Sequence, residues 1–214
     1  MKIQLKPRVK ALIFDFDGTI ADTLPFAVNT ALELNRELKL VEQDKINIEK
    51  FRGMDSEEFY GSLGISKFKL FLYTFKFLKR LNINIEGLET FKGLPEVLRE
   101  LKEKGIILGI VTSNTKNCVK KFIKDDKIEY FDFIKQCYFL FGKGRKIKKV
   151  IRRLGLKRDE VIYIGDETRD IKAARDAGVK IASVTWGYNV ENILSEHKPD
   201  FLIRRPVELL DLVD

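Results

Sequence analysis

Short apolar runs without helical phase recur along this chain, separated by segments with a period near 3.6, and that alternation limits the possible folds more than any other feature. Lys10 to Phe16 reads KALIFDF, Ile106 to Val111 reads IILGIV, Val161 to Ile164 reads VIYI and Ile181 to Val184 reads IASV. Apolar residues at consecutive positions suit strands buried on both faces of a parallel sheet. A further strand is expected over Phe131 to Ile134. Helical patterning fills Pro95 to Lys104, Thr115 to Lys124, Arg145 to Leu154 and Thr168 to Ala177, with Gly105 and Gly178 placed as helix C-caps. Strands alternating with helices of this length predict a doubly wound α/β domain with a parallel sheet over residues 91–214, its first strand supplied by residues 1–22.

Residues 23–90 break the alternation. Heptad-like positions Phe26, Thr30, Leu34 and Leu38, then Phe68, Phe71, Phe75 and Leu78, read as helices, and eight aromatics fall between Phe51 and Phe77. Lys69, Lys76 and Arg80 form the one polar stripe of the second stretch, so that helix is expected to pack against more than one partner. The segment reads as a helical cap domain inserted after the first strand.

Composition narrows the classes of function. The 214 residues are 44% apolar, enough to bury a core, which excludes a disordered chain. Basic residues exceed acidic ones, 40 to 32, for a formal charge of +8, but the two signs are interspersed. A basic balance of that kind does not by itself indicate nucleic acid, and the lysine-rich Lys143 to Arg153 reads as a solvated helix face. Cys118 and Cys137 lack the spacing of a zinc clip or a redox pair, which suits a reducing compartment. No apolar leader with a small-residue cleavage site is evident, and lysines interrupt Phe68 to Leu81, the most apolar stretch. A cytoplasmic protein without membrane association is expected.

Ligands of open parallel sheets bind at the carboxyl ends of the strands, so the polar residues where each run stops carry the functional signal. The first run stops at Asp15-Phe16-Asp17-Gly18-Thr19, the second at Thr112-Ser113-Asn114, and the third at Gly165-Asp166 with Asp170 four residues beyond. Carboxylates crowded into a partly desolvated cleft repel one another and call for a cation. With only hard oxygen donors at hand, the natural ion is Mg²⁺. On an extended chain Asp15 and Asp17 point the same way, so one can attack an electrophile while the other moves a leaving-group proton. Gly18 permits a sharp exit from the strand. Thr112 offers a hydroxyl, and the backbone N–H groups of Ser113 and Asn114 open the next helix, where phosphate is favoured. Lys143 or a neighbouring lysine can supply balancing charge. These parts describe phosphoryl transfer.

The arrangement resembles the haloacid dehalogenase superfamily of phosphohydrolases over nearly the whole chain. Asp15-Phe16-Asp17-Gly18-Thr19-Ile20 with Ala21-Asp22-Thr23 is similar to its first motif, Val111 to Asn114 to its second, and Gly165 to Ile171 with Ala173-Ala174 and Ala177-Gly178 to its fourth. Val184 to Tyr188 and Pro199-Asp200 are similar to the phosphoglycolate phosphatase-like branch, whose helical cap matches the insertion. The resemblance implies Asp15 as nucleophile, Asp17 as general acid and base, and a Mg²⁺ site served by Asp15, Asp17, Asp166 and Asp170. Gly18, Thr19, Ser113 and Asn114 would bind the phosphoryl group. The third motif departs from the usual Gly-Lys-Pro pattern, since Phe141 to Lys146 reads FGKGRK. Lys143 is the candidate catalytic lysine and Lys146 its alternative. Phe51-Arg52-Gly53-Met54 resembles the cap's substrate loop, where Arg52 could clamp a substrate carboxylate or second phosphate. The reading is a phosphatase acting on a small phosphorylated metabolite, such as 2-phosphoglycolate or a sugar phosphate, as a monomer or homodimer and with no specific nucleic-acid partner. A phosphomutase with the same nucleophile and a phospho-accepting signalling domain are its competitors.

Overall fold

The computed structural model describes residues 9–39, 47–62, 64, 66, 69, 72–73, 75–77, 79–80, 87–137 and 142–213. Among these residues six strands form one parallel sheet: β1 (Ala11–Phe14), β2 (Ile107–Thr112), β3 (Phe133–Gln136), β4 (Val161–Gly165), β5 (Lys180–Val184) and β6 (Phe201–Ile203). They lie in the order β3-β2-β1-β4-β5-β6. The direction of winding reverses at β1, which pairs with β2 on one side and β4 on the other. This is the doubly wound α/β fold read from the sequence. Ala11 to Phe14 are wholly buried, as a strand covered on both faces requires.

Alternation along β1 divides the core. Leu12, Phe14 and Phe16 face one layer with helices α4 (Leu94–Glu103) and α5 (Lys116–Asp125). Ala11 and Ile13 face the other layer with α6 (Lys143–Leu154) and α7 (Thr168–Ala177). Gly178 caps α7 in the left-handed conformation, and Gly105, one residue past the α4 cap, also has positive φ. Helix α7 matches its expected span, whereas α6 begins two residues before Arg145. The apolar run at Lys10 to Phe16 yields a shorter strand, because the chain turns once it passes the sheet edge at Asp15. Strand β6 was not legible in advance. It has three residues between Asp200 and Arg204, too few to establish a period.

At the carboxyl edge of β1 the chain leaves the sheet at Asp22 and returns at Thr90. The two crossing segments are joined by a hydrogen bond from Asp22 N to Glu89 O (2.9 Å) and a bridge between Ala21 and Thr90. Where described, the excursion is helical: α1 (Leu24–Leu38), α2 (Ile48–Arg52), α3 (Ser56–Ser62) and helical residues between 69 and 80. Pro25 opens α1 and Lys39 ends it with left-handed φ. Phe51 and Phe59 join α2 to α3 edge to face, and Tyr73 stacks on Phe77. Lys76 and Arg80 of the expected polar stripe pair with Glu37 of α1, but Phe75 remains 59% exposed. Phe68, Phe71, Leu78, Tyr138, Phe139 and Phe141 lie outside the described residues. Beyond α7, a short helix α8 (Glu191–Glu196) follows β5, and no described helix is long and apolar enough to cross a membrane.

Candidate active site

The parallel register brings the strand ends to one level. Phe14 is opposite Ile110 on β2 and Ile164 on β4, and the next residue, Asp15, continues the ladder with its N–H on Ile164 O at 2.8 Å. Thr112 closes β2, while Gly165 closes β4 and hands on to Asp166. Asp170 reaches back from the first turn of α7, where its Oδ2 accepts from Glu167 N at 3.1 Å. Lys143 comes from the first turn of α6. A side chain on Gly144 would place its Cβ 2.9 Å from Ala173 O and 2.8 Å from Asp176 Cβ, so the absent side chain lets α6 lie close against α7. That approach sets Lys143 over the sheet edge.

Asp15, Asp166 and Asp170 present carboxylate oxygens within 4.8 Å of one another, all buried. Lys143 Nζ bridges two of them, 2.7 Å from Asp15 Oδ2 and 2.6 Å from Asp170 Oδ1, and lies 5.8 Å from the centre of the Tyr163 ring. Tyr163 is fixed by its hydroxyl, which donates to Val111 O at 3.0 Å. Of the two lysines open to the sequence reading, Lys143 is therefore the one that reaches the carboxylates. Asp15 Oδ1 is buried and has no hydrogen-bond partner among the described residues. A buried orphan oxygen is costly and points to a missing cation or ligand. The set is all hard oxygen donors and carries more negative than positive charge, so it fits a divalent cation of the Mg²⁺ or Ca²⁺ type.

Asp166 is held from the opposite side. Thr19 Oγ1 donates to its Oδ1 at 2.6 Å and Tyr188 N to its Oδ2 at 2.7 Å. Gly18 has φ of +74°, and a Cβ there would fall 2.2 Å from Asp166 Oδ2, so the turn after β1 needs glycine for both its backbone angle and its space. Asp17 lies apart from the three-carboxylate group. Its two oxygens accept from Asn114 Nδ2 at 3.1 and 3.3 Å, because the chain turns after Asp15 and the two carboxylates no longer share an extended segment. Thr112 Oγ1 accepts from Asn114 N at 3.0 Å, which ties the end of β2 to the same loop, and Ser113 between them is half-buried.

Electrostatics separates the groups. Burial pushes Asp17 up to about 7, with the Asp15 charge adding to the rise and the Asn114 hydrogen bond opposing it. Asp170 rises to about 6 through burial, although Lys143 pulls it down. Asp166 is driven well above the usual carboxylate range by burial and then by the charges of Glu167 and Asp170. Burial alone would lower Lys143, but Asp15 and Asp170 outweigh it and hold the ammonium above its ordinary value. A permanent cation thus sits beside Asp15, and a carboxyl able to give and take a proton near neutrality sits two residues away.

Arg52 is placed differently from the other candidates. Its Nε and a terminal nitrogen donate to Tyr188 O at 3.1 Å and Gly187 O at 3.2 Å, and the other terminal nitrogen lies 3.2 Å from Glu49 Oε1. The guanidinium is committed to the loop after β5. That loop, marked in the sequence only as a family-like segment over Val184 to Tyr188, makes contacts the sequence reading did not anticipate: Trp186 Nε1 donates to Thr19 O at 3.2 Å, Tyr188 hydroxyl is 3.0 Å from Thr23 Oγ1, and Asn189 Oδ1 accepts from Thr168 N at 2.9 Å. The available signal was the fourth apolar run, whose polar exit at Thr185 to Asn189 follows the same rule as the other three strand ends.

Residues 12–184 match the family described as haloacid dehalogenase-like hydrolase. The chain is 29% identical over 206 residues to a phosphoglycolate phosphatase of Synechococcus elongatus, covering 96% of this chain and 97% of that one. It is 24% identical over 210 residues to pyrophosphatase PpaX of Bacillus cereus, covering 96% and 97%. A haloacid dehalogenase-like hydrolase structure from Streptococcus pneumoniae superposes with a TM-score of 0.79 at 24% identity, covering 96% of this chain and 99% of that one. With a match from β1 to the end of β5 and these strand-end residues in place, the chain belongs to the haloacid dehalogenase-like hydrolases.

Proposed function

We propose that the protein is a Mg²⁺-dependent phosphatase that hydrolyses a small phosphomonoester through a phosphoryl group carried on Asp15. The observation that carries this reading is the Asp15 carboxylate, with one oxygen on Lys143 and the other buried without a partner among the described residues. Asp15, Asp166 and Asp170 would hold the ion, with Asp17 adjoining, and the ion would neutralise charge on the transferring group.

In this reading Asp15 attacks phosphorus, the bond from phosphorus to the ester oxygen breaks, and Asp17 delivers its proton to the departing alkoxide. Asp17, now ionised, takes a proton from water as that water attacks phosphorus. The Asp15–phosphorus bond breaks and inorganic phosphate leaves. Thr112, Lys143, Gly18, Thr19 and the N–H groups of Ser113 and Asn114 would hold the phosphoryl oxygens. A pKa of about 7 for Asp17 suits a group that must do both proton transfers.

Residues 1–22 and 91–214 would form the catalytic core and residues 23–90 a cap that closes the site to water. A capped site suits a small cytoplasmic metabolite, and the phosphoglycolate phosphatase and pyrophosphatase relatives set the first substrates to try. Arg52 can clamp a substrate anion only after releasing the Gly187 and Tyr188 carbonyls. The test is release of inorganic phosphate from p-nitrophenyl phosphate, 2-phosphoglycolate, sugar phosphates and pyrophosphate, with and without Mg²⁺. Turnover that needs the metal and disappears in Asp15→Asn supports the reading. Phosphate moved to another position of a sugar, with none released, would replace it with a phosphomutase.

A further inference from the structure

Asn189 occupies a position that the proposed chemistry does not use. It is 7% exposed, and each polar atom of its side-chain amide is engaged. Its Oδ1 accepts from Thr168 N, at the start of the helix that carries Asp170, at 2.9 Å. Its Nδ2 donates in the other direction, to Arg52 O at 2.9 Å and Met54 O at 3.1 Å. Its own N–H reaches Asp166 O at 3.3 Å, and the next residue, Val190, donates its N–H to Arg52 O at 3.2 Å. One amide therefore touches both sides: the segment from Asp166 to Asp170 and the Arg52–Met54 loop between α2 and α3.

We infer that Asn189 is a positioning residue that couples divalent-cation binding at Asp15, Asp166 and Asp170 to the seating of the Arg52–Met54 loop. The inference rests on the metal site of the proposed function. An amide suits the task because its oxygen is fixed by an orphan N–H of a helix start, which turns both amino hydrogens toward the loop carbonyls. A carboxylate in its place keeps the acceptor for Thr168 N but offers those carbonyls no donor. When a cation draws Asp166 and Asp170 into one arrangement, Asn189 is held with them, and the loop gains two fixed donors. Linkage makes the effect mutual, so a seated loop tightens the cation by the same factor. Outer groups of this kind commonly alter metal affinity by about 10–100-fold.

Backbone hydrogen exchange across residues 49–55, followed with Mg²⁺ titrated against the whole protein, tests this directly. In the unaltered protein Mg²⁺ should slow exchange in that loop by about fivefold or more, the lower end of common coupling strengths. In Asn189→Asp the cation should still bind, more weakly, while the loop exchanges at the same rate with and without it. A merely structural role would raise exchange equally in both conditions and leave the Mg²⁺ response intact, which overturns the inference. Should Asn189→Asp not fold, the unaltered protein still decides. Calorimetric Mg²⁺ binding without slower loop exchange overturns the coupling, and absence of any Mg²⁺ binding overturns the metal site beneath it.

Discussion

Two charge clusters in this molecule are mirror images in sign and opposites in setting. At the sheet edge one ammonium, Lys143, lies between two carboxylates, Asp15 and Asp170, with side-chain exposures of 7%, 3% and 0%. On the helical excursion one carboxylate, Glu37, lies between Lys76 and Arg80, with exposures between 37% and 40%. Water and salt screen the second cluster, so its ions contribute little to folding or to any reaction. The first is held by its surroundings. Its ammonium and all but one of its carboxylate oxygens have named partners, the pKa values of Lys143 and Asp170 are displaced, and the one oxygen without a partner among the described residues is where chemistry is expected. Position relative to the sheet, not residue type, makes the difference.

The sharpest way to break the comparison is to delete the central ion of the buried cluster. Lys143→Met leaves Asp15 and Asp170 facing each other without their cation, a change that costs about 3–5 kcal/mol where buried pairs are broken. Chemical denaturation should show that loss at neutral pH, together with loss of phosphatase turnover. The deficit should shrink toward pH 5, below the value of about 6 at which Asp170 stands, because a protonated Asp170 needs no partner. A deficit that does not vary with pH would mean that Lys143 acts by packing alone.

Next in size is the effect of pH on the metal-free protein. Asp17 and Asp170 stand at about 7 and about 6 in the fold, against an ordinary value of 3.8. The folded state therefore binds more protons than the unfolded chain between these limits. The stability these groups contribute is complete below about pH 4 and is lost as pH rises through 6 to 7, by about 4 kcal/mol at most for Asp17. Asp17→Asn should flatten that part of the stability curve. Mg²⁺ should act in the opposite direction, raising the thermal midpoint more at pH 7.5 than at pH 5.5, since it binds the ionised carboxylates. Equal metal stabilisation at both values would place the ion elsewhere.

Packing and the exposed cluster give the smaller effects. Gly144→Ala forces a Cβ against Ala173 O, so it should cost about 1–3 kcal/mol and reduce turnover by moving Lys143. Glu37→Gln should leave turnover unaltered and shift the denaturation midpoint only slightly, with the shift vanishing in high salt. A Glu37→Gln loss as large as that of Lys143→Met would erase the contrast between the clusters.

The same contrast explains what could be read in advance. Buried parallel strands leave apolar runs, and polar residues at their carboxyl ends are few, so Asp15, Asp17, Thr112, Asn114, Asp166 and Asp170 stood out by position. Lys143 was legible as the candidate lysine with Lys146 as its alternative, and the close approach allowed by Gly144 is what brings it to the carboxylates. The loop after β5 was marked in the sequence as a family-like segment at a strand end, but its contacts were not legible, because Tyr188 contributes a backbone N–H to Asp166 and any residue except proline carries that group. Arg52 showed its charge in the sequence but not its direction, which two backbone carbonyls far along the chain decide. Strand β6 was too short to show a period.

The central claim is that Asp15 carries the phosphoryl group, and chemical trapping tests it most directly. Acid quenching during turnover, followed by borohydride reduction, converts an acyl phosphate to an alcohol, so the peptide containing Asp15 should carry homoserine at that position. The account predicts this product in the unaltered protein with substrate and Mg²⁺, and none when Mg²⁺ is withheld. Sustained phosphate release with Asp15 recovered unreduced, and with Asp15→Asn still active, would contradict it.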